Sequence, residues 1–275
     1  MRLLTARFDP GAARLSALPA RPLLELAGAA TAMLVLGLIA EATGLCRSGG
    51  RALQVAAVHG GLVAGAVALE RRGERSWHRV GSAVAGALAC AAWLSETTGP
   101  GCIAYLLPLL AVGLWTRRVP GLGWDGGSPS ARWRELAAGA AVGAVLGAHL
   151  LVTAALTFGY TVGIESPVAY FRAVAYDVGA NALSAALFFH GALFSWLWRR
   201  FDFARAAAGA TAASLVRYLL DPALPRAVET AAGAVLYLGV LGVASCALRA
   251  RTGAAAPAYA ATLAFFAAYR SLSGW

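Results

Sequence analysis

Nine mostly apolar runs follow one another along the chain, at roughly 23–44, 52–69, 80–95, 102–116, 138–158, 182–198, 206–220, 229–248 and 255–269. A membrane crossing needs about 20 such residues, fewer where the ends snorkel, so each run has the length of a crossing helix. The third, fourth and ninth are the shortest, and eight crossings is the alternative count. With 59% hydrophobic and only 13% charged residues, the chain lacks the polar surface that a soluble domain of this size requires. The fold class expected is all-α, a polytopic transmembrane bundle of about nine spans. No small-residue cleavage site stands behind a short apolar stretch in "MRLLTARFDPGAARLSALPARP", so the first run is expected to remain as a span.

The formal net charge of +10 would suggest a nucleic-acid partner in a soluble protein, but here arginine is distributed by loop. Arg2, Arg7, Arg14 and Arg21 precede span one, "ERRGERSWHR" separates spans two and three, and "TRR" with "RWRE" separates four and five. "RRFDFAR" follows span six and "RAR" follows span eight. Loops of the opposite parity are poorer in arginine, apart from Arg47 and Arg51 in the first. This alternation is what the positive-inside rule requires of nine spans with a cytoplasmic N-terminus. It accounts for the charge without nucleic acid. The expected setting is a multi-pass protein of the cell inner (plasma) membrane, with the lipid bilayer as its first partner.

Four regions are expected: a cytoplasmic segment 1–22, a four-span module 23–116, a Gly/Pro-rich cytoplasmic linker 117–137 and a five-span module 138–275. Gly139, Gly143 and Gly147 recur every fourth residue in span five, as Gly61 and Gly65 do in span two, which allows close approach of neighbouring helices within the molecule. The amphipathic "SPVAYFRAVAYDVGAN" is expected to start at the outer surface and run into span six, with Asp177 solvated.

Few residues carry chemistry. Cys46, Cys90, Cys102 and Cys246 form no CxxC and no Cys/His pair at ligand spacing, so neither a metal nor a cofactor is expected. Cys46 and Cys102 both fall near the outer face, where a disulfide could persist. His59 and His149 lie inside spans and are expected to be neutral and hydrogen-bonded to neighbouring backbone, while His78 is expected in solvent. Arg217 and Asp221 stand one turn apart and are expected to pair.

Three stretches of the C-terminal half carry a resemblance. "AALFFHGALFSWLWRRF" is similar to the first motif of the CPBP (CAAX-processing and bacteriocin-processing) intramembrane proteases, a Glu-Glu pair followed after three residues by Arg and then Gly. "ARAAAGATAASLVRYL" occupies the place of the next family span, and "GVLGVASCALRARTGAAAPAYAATLAFF" follows the closing pattern of Gly-rich helix, Arg-Thr-Gly turn, Pro and final span. The resemblance implies a glutamate base that activates water, with His and Asn from later spans orienting the site and stabilising the oxyanion. Residue by residue, those groups are missing. Ala185 and Ala186 stand for the glutamates, His190 for the Arg, Leu219 for the second-motif His, and Ala261 and Phe265 for the third-motif His and Asn. No histidine follows His190.

The resemblance therefore implies a degenerate, catalytically inactive CPBP-like protein that binds or presents a transmembrane segment, or assists an active membrane protease or sorting enzyme, as in bacterial protein sorting. One alternative is an intramembrane endopeptidase with a rearranged site that uses His190 with Asp177, Glu165 or Arg217. The other is a small-molecule transporter, for which the sequence offers few polar residues and no inverted repeat.

Overall fold

The computed structural model describes residues 20–70, 76–116, 129–164, 166–219 and 228–273. Among them, nine helical rods form an all-α bundle. These are α1 (Ala20–Ala42), α2 (Arg47–Glu70), α3 (Ser76–Thr97), α4 (a tight 3-10 stretch Gly99–Tyr105 that continues as Leu106–Thr116) and α5 (Pro129–Phe158). Then come α6 (Pro167–Trp198), α7 (Phe203–Leu219), α8 (Val228–Thr252) and α9 (Ala256–Tyr269). Six of them, α1, α2, α3, α5, α6 and α8, are long and apolar enough to cross a membrane, and α4 and α9 are shorter apolar helices. Large apolar side chains point outward along several rods, among them Leu36 and Ile39 of α1, Leu110 and Leu114 of α4, and Val145, Val152 and Leu156 of α5. Patches of that extent suit lipid and would be an aggregation hazard in water.

Helix ends follow local rules. Pro167 opens α6 with Ser166 as its cap, the hydroxyl accepting from the Ala169 amide at 3.3 Å. Gly159 and Gly253 end α5 and α8 at φ 70° and 74°, a left-handed turn that a Cβ disfavours. The linker expected over 117–137 is shorter than that. Helix α5 already begins at Pro129, because proline is accommodated in a first turn and Arg132 and Arg134 lie on long stems at its start. Residues 117–128, like most of the N-terminal segment 1–22, lie outside the described residues.

The glycines of α5 are packed within the molecule, as their spacing predicted. A Cβ on Gly139 would collide with the Pro257 carbonyl, and one on Gly143 with the Ala261 carbonyl, so α5 lies backbone to backbone on α9. Gly65 of α2 meets the Phe188 ring of α6 in the same way. Helix α9 is tied to α6 by two tyrosines: Tyr259 donates to the Val178 carbonyl at 3.0 Å and Tyr170 to the Ala267 carbonyl at 3.1 Å. A short antiparallel ribbon, β1 (Thr161–Val162) against β2 (Leu272–Ser273), pins the chain after α9 to the loop before α6. That ribbon sets Arg270 above the first half of α6.

Three turns widen into π-helix: Ala56–Gly60 in α2, and Asp177–Asn181 and Ala186–Leu193 in α6. Between them they carry His59, Asp177, Asn181 and His190. Such widened turns are concentrated at functional positions in helical proteins.

Candidate functional site: a polar network beside a chamber between the two halves

Asp177 is fully buried, not solvated as its amphipathic surroundings suggested. Arg270 grips it with two bonds, Nε to Oδ2 at 2.9 Å and Nη2 to Oδ1 at 3.0 Å. The planar fork of a guanidinium matches a carboxylate in this way, and a carboxylate at membrane depth needs such a partner. Asn181, one turn further along α6, donates from Nδ2 to Asp177 Oδ1 at 2.9 Å. Its own Oδ1 accepts from Arg217 Nη1 at 2.8 Å and from the Tyr218 hydroxyl at 3.3 Å. The expected partner of Arg217, Asp221, lies outside the described residues; within them Arg217 is held by Asn181 and by the ring of Tyr218, 4.5 Å from its centroid.

His59 joins the network from α2. Its Nδ1 lies 2.8 Å from Ser184 Oγ and its Nε2 lies 2.6 Å from the Tyr176 hydroxyl. Ser184 also reaches the Asn181 carbonyl, Oγ to O at 3.2 Å, which links His59 to the Asn181 turn. The partners are thus side chains of α6, not neighbouring backbone. His149 is likewise held by a side chain, with Nδ1 2.8 Å from the Tyr237 hydroxyl.

His190 belongs elsewhere. It lies on the same rod as Asp177 and 13 residues further on, which at 1.5 Å per residue is roughly 20 Å along the axis. It is buried, and its Nδ1 is 3.9 Å from the Cys246 sulfur. The rearranged site of His190 with Asp177 is therefore not assembled, Arg217 is committed to Asn181, and Glu165 lies outside the described residues. Of the other residues aligned with the family motifs by the resemblance, Ala185, Ala186 and Ala261 are fully buried, Phe265 is packed in the core and Leu219 is exposed. Cys46 and Cys102 are free thiols with separate neighbours, Cys46 Sγ near Ser48 Oγ and Cys102 Sγ near the Gly99 carbonyl. No group of three His, Cys, Asp or Glu side chains converges as a ligand set among the described residues.

Beside the network opens a chamber of about 610 Å³, lined from both halves of the chain. From the N-terminal half come Arg51, Gln54, Glu96 and Tyr105; from the C-terminal half come Leu150, Arg172, Asn181, Tyr237, Phe265 and Arg270. Arg51 is engaged on its rim, with Nε 3.2 Å from Glu41 and Nη1 3.0 Å from Glu96, and Gln54 adds a 2.7 Å bond to Glu41.

The pairing of Asp177 with Asn181 was open to sequence reasoning, since the two are four apart. Nothing local in the sequence connects Arg270 to Asp177 or Tyr176 to His59. No family model, no curated protein and no solved structure matches this chain, so its chemistry is read from its own residues.

Proposed function

We propose that this protein is a non-catalytic, multi-pass protein of the bacterial inner membrane, built on a CPBP-like scaffold, which holds a membrane-borne ligand in the chamber between its halves and serves an active protease or sorting enzyme. The observation that carries the reading is the chamber itself. Its volume falls within the usual range for ligand sites, roughly 300–1,000 Å³, and its walls are mostly aromatic and aliphatic with a few polar groups. The two buried groups of the network that could act as a base are occupied, Asp177 by Arg270 and Asn181 and His59 by Ser184 and Tyr176, and the buried His190 has the Cys246 sulfur beside it and no carboxylate partner among the described residues. Packed alanines stand where the resemblance expects glutamates.

The volume also restricts the ligand. A 20-residue helix, about 30 Å long and about 10 Å across, occupies roughly 2,400 Å³. The chamber therefore suits the end of a chain or an amphiphile, and a complete transmembrane segment would have to lie against the outer faces of α1 or α5. With the N-terminus in the cytoplasm, the α1–α2 turn faces outward, and a membrane-impermeant maleimide is expected to label the exposed Cys46 from the outer side only.

Gly233 lines the chamber and a Cβ placed on it meets nothing within 4 Å, so the first atom of a larger side chain is accommodated and Gly233→Trp is expected to occupy the space. Native mass spectrometry of the purified full chain should show one retained equivalent of amphiphile that this variant loses. Retention unchanged by Gly233→Trp would overturn the chamber as a ligand site. Hydrolysis of a membrane-embedded peptide that His190→Ala abolishes would overturn the non-catalytic reading.

A further inference from the structure

Among the described residues three arginines line the chamber, and they differ in what they already hold. Arg270 has its charge matched by Asp177, and Arg51 by Glu41 and Glu96. Arg172, on the first half of α6, makes no hydrogen bond or ion pair among the described residues, and its Nε is shut off from solvent without a partner. An arginine nitrogen cannot deprotonate to relieve this, and a partly desolvated guanidinium without an anion is costly. The remaining anion on the wall, Glu96, is bound to Arg51 and about a third exposed, so water screens it.

The walls of the chamber as a whole are mostly apolar. Leu150, Leu238, Phe265 and Phe266 line the space, and Phe158 stands at its edge with half its surface exposed, on the same lipid-facing stretch of α5 as Val152 and Leu156. A site with one unmatched fork of donors and aliphatic walls continuous with a lipid-facing helix fits a molecule with both characters.

We propose that the chamber binds an anionic amphiphile, a phosphate oxyanion carried on acyl chain, with Arg172 as the residue that receives the phosphate. This rests on the chamber being a ligand site. The phosphate accepts two N–H bonds from the guanidinium in its bidentate geometry, and the acyl chain lies along the α5 and α9 wall. Phosphate on a lipid and phosphate free in water share the first contact and differ in the second.

The test uses the purified full chain in a neutral detergent and three probes: dioctanoyl phosphatidylglycerol, dioctanoyl phosphatidylcholine and inorganic phosphate, with binding measured by native mass spectrometry. Wild type is expected to bind one phosphatidylglycerol at least tenfold more tightly than phosphatidylcholine, and inorganic phosphate far more weakly than either. Arg172→Gln should erase the preference, and Arg172→Lys, which keeps the charge and loses the fork, should fall between. Equal affinity of wild type for the two lipids, a comparison that needs no variant, would overturn the proposal. So would an unchanged preference in Arg172→Gln, or inorganic phosphate binding as tightly as the anionic lipid. Failure of this proposal alone leaves one amphiphile that Gly233→Trp displaces whatever its headgroup; failure of the chamber reading leaves none that it displaces.

Discussion

Asp177→Ala is expected to destabilise the folded protein by about 3 kcal/mol, measured by unfolding in mixed micelles of neutral detergent and dodecyl sulfate. Removal of one member of a buried ion pair costs about 3–5 kcal/mol, because the partner charge stays behind without compensation. The low end applies because the Arg270 side chain keeps 29% of its surface exposed and can turn partly toward water. Asn181 loses its acceptor in the same variant and is left with a buried amide donor. The double variant Asp177→Ala/Arg270→Ala separates the two contributions. It removes the stranded cation and should recover part of the loss, while a double variant as unstable as the sum of the singles would show that the two residues do not act as a pair. Asp177→Asn retains an acceptor for Asn181 and should lie between wild type and alanine.

Gly143→Val is expected to cost about 3 kcal/mol, at the upper end for an overpacked core. The added Cβ would meet the Ala261 carbonyl of α9, which is backbone and has no rotamer to change, so the two helices must separate. Since α9 also carries the chain into Arg270, separation should loosen the grip on Asp177 as well. Gly86, on α3, is the control: a Cβ there meets nothing within 4 Å, and Gly86→Ala should be neutral or slightly stabilising through its better helix propensity. Equal melting of the two variants would remove the argument from close packing.

Much of the architecture was legible because a membrane crossing is a local property. Length and composition of an apolar run determine whether it is a helix, so each of the nine runs falls on one rod, although α5 and α6 begin at Pro129 and Pro167, well before the runs at 138–158 and 182–198. The four-residue glycine spacing in α5 is local in the same sense, since it states that one face lacks side chains, and the structure supplies α9 as the helix that uses it. The start of α6 was legible too: its amphipathic beginning continues without a break into the span.

The site was less legible, and Asp177 shows why. In the sequence it sits in an amphipathic stretch near a helix start, where solvation is the ordinary state of a carboxylate. Its burial depends on Arg270, 93 residues away, and on a two-residue ribbon too short to be recognised by any periodic pattern. His59 needed Ser184 and Tyr176 from a helix more than a hundred residues later. His190 and Asp177 lie on the same rod, and the rise of that rod keeps the two apart.

The sequence alone determined that the chain is a bundle of apolar helices, because the length and composition of each run are written in residues close together along the chain. Which polar side chains meet, and that a chamber opens between the two halves with one guanidinium unmatched among the described residues, was decided only by tertiary packing. A buried charge is stabilised by whatever lies within a few ångströms of it, and helices far apart in the chain supply those neighbours.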